Sequence, residues 1–285
     1  MILKHKDNDS PEFDVRVLLK SSTVTIRDTY CRGTCPRQSA QECATTTQLV
    51  FPYRGLYVRH VGHEQAVAEA NQVLFFNAME EYRVSHPVPG GDASLSLLID
   101  ESLLHELAPR ALLQAGPVSA FRLQRLRIDA RTQALVALLR HSLREQVAEP
   151  LEAETVAFTL VQRSLGPRTT QAAASTYGRQ RLVDRVKIVL ASDLARRWTL
   201  AEISAEVHGS PVYLTQVFQQ VEGMPLYRYQ LRLRLARALD LLGEYDNLTS
   251  LALDLGFSSH SHFTSAFRQL YGRTPSEFRQ STLAR

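Results

Sequence analysis

A chain of 285 residues, at roughly 100–200 residues per domain, is expected to hold two domains, each able to bury a core of its own. Apolar residues make up 44% and charged residues 22% of it. The longest nearly apolar run, 95–99, is far too short for a bilayer, and no secretory signal is visible, so membrane, collagen-like and disulfide-scaffold classes are excluded and a cytoplasmic protein is expected. Lys and Arg number 33 against 29 Asp and Glu. From Gly166 onward the counts are 15 and 10, leaving 18 and 19 before it, so the basic excess lies in the C-terminal part and predicts a polyanionic partner there.

In chain order, 13–19 (FDVRVLL), 48–53 (QLVFPY), 56–61 (LYVRHV), 73–77 (VLFFN), 81–85 and 94–99 (SLSLLI) read as short strands. Turn signals bound them at Arg54-Gly55, His86-Pro87 and Pro89-Gly90-Gly91-Asp92. Strands at this spacing predict a sandwich or jelly-roll barrel, whose interior is a natural ligand cavity. Tyr53, Tyr57, Arg59, His60, Phe76, Tyr82 and His86 are the candidates to line it and to meet a small-molecule effector, each with the alternative of being an ordinary strand residue.

Cys31, Cys35 and Cys43 fall close together in a loop-like segment (CRGTCPRQSAQEC), an odd count that argues against a disulfide framework. With His60 or His63 as a fourth ligand they offer a site for zinc or another soft metal; Arg32 and Arg37 beside them offer instead a lowered thiol pKa and a redox sensor. Reduced thiols without a role are the alternative. Metal-dependent enzymes on such barrels need a tight histidine cluster, whereas His60 and His63 point to opposite faces of a strand, and neither a nucleophile elbow nor a phosphate loop is present. An enzyme is not expected.

From Glu101 the period changes, and 102–114, 128–147 and 151–165 read as helices. The stripe Leu135, Leu138, Leu139 and Leu143 either packs on its own barrel or pairs with a second copy in a homodimer. Residues 166–178 (GPRTTQAAASTYG) are small and polar and suit a linker. The expected organisation is a β domain at 1–100, a helical annex with dimerisation helices at 101–165, the linker at 166–178 and a helical domain at 179–285.

That last domain repeats one unit. Thr199 and Glu202 form a capping box, and the helix that follows places Leu200, Ile203 and Val207 on one face. The turn His208-Gly209-Ser210-Pro211 leads to a helix with Leu214, Val217, Phe218 and Val221 at i, i+3, i+4, i+7, ended by Gly223. Leu248, Leu251, Ala252 and Leu255, the turn Gly256–Ser259, and Phe263, Ala266, Phe267 and Leu270 then repeat the pattern 49 residues on. Helix, tight turn, helix is the helix-turn-helix pattern. Residues 226–242 between the units suit one helix of roughly 25 Å, able to hold two reading helices about one DNA turn apart.

Opposite the apolar stripes lie Val212, Thr215, Gln216 and Gln219 in the first unit, and His260, Ser261, Thr264, Ser265 and Arg268 in the second. These types contact base edges and the thymine methyl in the major groove. Arg228, Arg232, Arg234, Arg237, Arg268, Arg273 and Arg279 read as phosphate contacts or ion pairs.

The run 252–267 (ALDLGFSSHSHFTSAF), followed by Gly272-Arg-Thr-Pro275 and Phe278-Arg279, resembles the signature of the AraC/XylS family of bacterial transcription regulators over residues 181–279. His208-Gly209 departs from that family's usual glycine-then-apolar order. The resemblance implies an α+β two-domain chain: an N-terminal cupin-like barrel or jelly roll that binds an effector, and a C-terminal all-α double helix-turn-helix domain. It implies double-stranded promoter DNA and RNA polymerase as partners, and activation. A cupin-type metalloenzyme with an accessory DNA-binding tail, and a constitutive DNA binder without effector, are the competing readings.

Overall fold

The computed structural model describes residues 13–33, 36–114, 116, 119–166 and 177–283. Among these, no helix is long and apolar enough to cross a membrane. The N-terminal half holds strands β1 (Phe13–Lys20), β2 (Val24–Cys31), β3 (Glu42–Cys43), β4 (Gln48–Arg54), β5 (Tyr57–Val61), β6 (Glu64–Ala68), β7 (Gln72–Phe76), β8 (Glu81–Ser85), β9 (Asp92–Ile99) and β10 (Arg125–Arg127). They form a six-stranded sheet, in the order β1-β2-β9-β4-β7-β10, and a four-stranded sheet, β3-β8-β5-β6, with antiparallel pairing throughout. The expected strands are present, and β2, β3, β6 and β10 join them.

Strand alternation gives the larger sheet two different faces. Val24 and Ile26, Leu49 and Phe51, Val73 and Phe75, and Leu95, Leu97 and Ile99 enter one apolar core. Three helices cover that face: α1 (Glu101–Leu107), α2 (Ala130–Arg144) and α3 (Pro150–Leu165). The helix expected over 102–114 ends at Leu107, because Pro109 follows and the chain turns through a short 3-10 segment at Arg110–Leu112. Asp129 caps α2 by accepting from the Thr132 backbone N–H at 2.8 Å, and Pro150 occupies the first turn of α3.

The α2 stripe is used inside the chain. Leu139 and Leu143 are buried in the core of the N-terminal half with Leu135 against it, while Ala137 joins the core of the C-terminal domain with Ala134 and Leu138 beside it. Within one chain α2 is thus the plate on which both halves rest, with Leu135 and Leu138 of the stripe half-buried.

The C-terminal half consists of α4 (Tyr177–Ser192), α5 (Leu200–Glu206), α6 (Pro211–Glu222), α7 (Leu226–Leu241), α8 (Leu248–Asp254), α9 (His260–Tyr271) and α10 (Pro275–Leu283). The expected linker falls almost wholly at 167–176, outside the described residues. One apolar core joins α4, α5, α6 and the first half of α7; another joins the second half of α7 to α8, α9 and α10.

Charge fixes the two halves together. Asp240 on α7 is buried and meets Arg54 of β4 at 2.8 Å, Arg140 of α2 at 2.8 Å, and Arg237 one turn before it. On the other side of the interface Lys187 of α4, fully buried, lies 2.8 Å from Glu222 of α6 and 3.9 Å from Glu69. Burial pushes the Glu222 carboxyl up, and the Lys187 ammonium together with Arg127 and Arg125 more than reverses this, holding it below its ordinary value. Arg125 of β10 reaches Asp184 of α4 at 3.1 Å.

Candidate nucleic-acid interface and ligand cavity

Each helix pair of the C-terminal domain is set by local chemistry. At the first, the Thr199 backbone N–H donates to Glu202 Oε2 at 2.7 Å and the Glu202 backbone N–H donates to Thr199 Oγ1 at 3.2 Å, completing the capping box. The Thr199 backbone N–H and hydroxyl, with the Arg196 guanidinium, all donate to the Glu202 carboxyl and hold it down at about 2. At the second unit Ser259 accepts from the His262 backbone N–H, and Gly272 ends α9 in the left-handed region.

The two turns differ by one residue. α5 and α8 start 48 residues apart, α6 and α9 start 49 apart. In the second turn the left-handed position is Gly256, φ 79°, where a Cβ would overlap the Ala195 carbonyl. In the shorter first turn His208 takes that conformation, φ 52°. The departure noted in the sequence is thus a left-handed residue with a side chain. His208→Gly is expected to stabilise the protein by about 0.5–1 kcal/mol, since relief of αL strain exceeds the added chain entropy. A lower thermal midpoint for the variant would contradict this.

The candidate reading faces lie open. Val212, Gln216 and Gln219 are exposed and Thr215 is half-buried on α6, its hydroxyl donating to the Val212 carbonyl. His260, Ser261, Ser265 and Arg268 are exposed on α9, with Thr264 half-buried and 3.4 Å from His260. α7, sixteen residues and so about 24 Å long, joins the two units.

The arginines divide. Arg228, Arg268 and Arg273 are exposed. Arg234 is not free to meet phosphate: it is buried, and its guanidinium donates to the carbonyls of Leu194, Ala195, Arg196 and Gly256. It ties α7 to the segment after α4 and to the second turn. Arg232 is half-buried against the N-terminal half and donates to the Ile128 carbonyl at 3.0 Å. Arg237 pairs with Asp240, and Arg279 donates to the Tyr245 carbonyl.

Between the two sheets lies a cavity of about 750 Å³, its mouth included. The face of the larger sheet opposite the apolar core lines it in period two: Arg27, Thr29 and Cys31 from β2, and Asp92, Ser94 and Ser96 from β9. Tyr57, Phe76, Tyr82 and His86, four of the residues expected from sequence to line it, are also on its wall. The burial of Tyr57 and Tyr82 pushes both phenols up, so they are neutral donors.

Three sequence candidates lie elsewhere. Arg59 is fully buried, bonded to Glu80 and the Phe75 carbonyl, its guanidinium 4.0 Å from the centre of the Phe76 ring, so its charge is used in the wall. His60, one residue on, points away from the cavity and meets Ser85 at 2.9 Å. Tyr53 stacks under Arg140 at 3.9 Å and donates to Asp28.

The cysteine cluster is likewise redrawn. Cys31 is buried at the end of β2, Cys43 is exposed on β3, His63 is exposed in the β5–β6 turn, and Cys35 lies outside the described residues. Among the described residues the one group of metal-ligating side chains that converges is Cys31, His86 and Asp92. His86 Nε2 is 2.8 Å from Asp92 Oδ2, and this contact, with the neighbouring Cys31, pushes the imidazole up to about 10. Arg27, Thr29, Asp92, Ser94 and Ser96 were not among the sequence candidates; the polar residues alternating with leucine in DASLSLLI are the signal that marks a polar strand face.

Residues 203–281 match the family described as a helix-turn-helix domain. Over 160 residues, 53% of this chain, the sequence is 31% identical to 60% of the probable transcriptional regulator LumQ of Photobacterium leiognathi. Over 97 residues, 34% of this chain, it is 34% identical to 35% of the HTH-type transcriptional regulator GadX of Escherichia coli. The C-terminal domain is an AraC-type helix-turn-helix domain. The chain thus spans about 60% of the length of the first relative and about a third of the second. A DNA-binding transcriptional dual regulator from Escherichia coli K-12 aligns at 31% identity over 35% of this chain and 96% of its own, TM-score 0.33. ToxT from Vibrio cholerae aligns at 13% identity over 96% of this chain and 100% of its own, TM-score 0.37.

Proposed function

We propose that the chain is a ligand-responsive transcription regulator that binds duplex promoter DNA through α6 and α9 and acts as an activator through RNA polymerase. The observation that carries this reading is the duplicated helix-turn-helix unit, with both polar faces uncovered on a domain of basic excess. Val212, Thr215, Gln216, His260, Ser261, Thr264 and Ser265 contact bases, and Arg228, Arg268 and Arg273 contact phosphates. A small molecule in the barrel cavity is the effector, and a second copy of the chain is the expected partner on DNA with two-fold sites.

β5 offers a route between the sites. Tyr57 faces the cavity, while its neighbour Val58 packs with Leu56, Val67 and Val88 against Ile188 and Ala191 of α4. An occupant that displaces Tyr57 therefore moves the surface on which the DNA-binding half rests, and favours whichever arrangement binds it better.

Binding of duplexes across a salt series tests the reading. Arg228→Ala is expected to weaken all sequences alike and reduce the salt slope by about one. Gln216→Ala and Ser265→Ala are each expected to cost about 1–3 kcal/mol at a single base position and leave the slope unchanged. If both alanine variants keep full sequence preference, the assigned reading face is wrong.

A further inference from the structure

Cys31, His86 and Asp92 come from three places in the sequence, yet one ligand atom of each lies within 4.8 Å of the other two. All three residues are buried, at 3%, 6% and 6% exposure, on the wall of the cavity. The backbone around them is tightly set. Gly33, Gly55 and Gly91 all have positive φ, a Cβ on Gly91 would overlap the Cys31 carbonyl, and a Cβ on Gly55 would overlap the Gly91 carbonyl. A side chain at any of these glycines would separate the end of β2 from the start of β9, and with them Cys31 from Asp92.

The cluster is not closed by the protein's own hydrogen bonds. His86 Nδ1 and Asp92 Oδ2 are buried without a well-directed partner; Asp92 Oδ2 has only the 2.8 Å approach of His86 Nε2. Buried polar atoms in native proteins are ordinarily satisfied, so two unsatisfied ones within this cluster call for a partner. The Gly33 backbone N–H donates to Cys31 Sγ at 3.4 Å and fixes the position of the sulfur.

We propose that Cys31, His86 and Asp92 are three ligands of a divalent transition-metal ion, zinc by the chemistry of the set, whose remaining position opens into the cavity. One thiolate, one imidazole and one carboxylate form the borderline-soft donor set that zinc takes in tetrahedral sites, and three protein ligands leave a fourth position for water or an exogenous group. On binding, the thiol and the imidazolium each release a proton, and the ion replaces them as the partner of the Asp92 carboxylate. The site differs from the Cys31–Cys35–Cys43 grouping that the sequence suggests: Cys43 is exposed on β3 and takes no part. The inference rests on the proposed function only in making the cavity the sensing site; metal binding itself is read separately from DNA binding.

The test uses the full chain, stripped by chelator under reducing, anaerobic conditions and titrated with Co²⁺. One equivalent is expected to give a sulfur-to-cobalt charge-transfer band and the intense visible bands of four-coordinate cobalt, both removed by Zn²⁺. Cys31→Ser abolishes the charge-transfer band, Asp92→Asn weakens binding at least about tenfold, and Cys43→Ser changes nothing. Should the Cys31 variant fail to fold, the unaltered chain gives the same answer: Zn²⁺ protects Cys31 from alkylation, mapped by mass spectrometry, and raises the thermal midpoint. Absence of a saturable cobalt spectrum, its persistence in Cys31→Ser, or its loss in Cys43→Ser overturns the site. A failed titration with sequence-specific DNA binding intact sinks the metal inference alone, whereas lost DNA specificity with the cobalt spectrum intact sinks the regulator reading alone.

Discussion

Asp240→Asn is expected to cost about 3–5 kcal/mol and to loosen the two halves of the molecule. The Asp240 side chain is 1% exposed and faces the guanidinium groups of Arg54, Arg140 and Arg237, which come from β4, α2 and α7. Asparagine keeps the shape and removes the one carboxylate, among the described residues, that meets all three. Glu244 meets only Arg54, at 3.0 Å, and is largely exposed. The three cations are then left facing one another at an interface that is mostly shielded from water, so their repulsion is weakly screened. Arg54 and Arg140 belong to the N-terminal half, so the penalty falls on the contact between domains. The expected readouts are a lower denaturation midpoint and a larger radius of gyration, with native secondary structure retained in each half. A change below about 1 kcal/mol would show that the interface is held by its apolar contacts and not by this hub.

Arg234→Ala is expected to be nearly as damaging, by about 3 kcal/mol or more, and Arg234→Lys is expected to recover little of it. The Arg234 guanidinium bonds to four carbonyl oxygens in two different segments, at 2.6 to 3.2 Å. Hydrogen bonds from a charged donor are worth about 1.5–3 kcal/mol each, and they are not additive here because one group makes them all. A lysine ammonium has three donors on a point charge and does not reproduce a planar fork that spans both segments. DNA affinity falls with it, because Arg234 joins the segment after α4, which packs with the first unit, to the turn of the second. The salt slope of the residual binding stays the same, which separates this role from a phosphate contact. A slope reduced by about one with stability unchanged would return Arg234 to the DNA surface.

The helical half was legible in the sequence because each of its determinants is local. The stripe Leu214, Val217, Phe218 and Val221, the capping box at Thr199 and Glu202, and the terminating Gly223 act within one or two helical turns. The two sheets were legible in outline for the same reason, through apolar strands and glycine turns. β2 was harder, because Arg27, Asp28 and Thr29 break its apolar run, and only the alternation of Val24 and Ile26 marks a buried face. β6 is rich in alanine, a weak strand former, and is held by pairing with β5.

What stayed hidden depends on distance in the chain. An arginine on a helix reads alike whether it reaches a phosphate, as proposed for Arg228, or four carbonyls, as Arg234 does. Nothing near Lys187 announces Glu69, and nothing near Cys31 announces His86 and Asp92; strand order brings them together. The clustered cysteines suggested a site by proximity in sequence, whereas β2 and β3 belong to different sheets.

Selection of binding sites from a random duplex library by the full chain, at physiological salt, tests the central claim most directly. Two reading helices joined by one rigid helix predict two blocks of base preference per chain, centred about one helical turn apart, the first relaxed by Gln216→Ala and the second by Ser265→Ala. A single block, or blocks whose preferences survive both substitutions, would contradict the account.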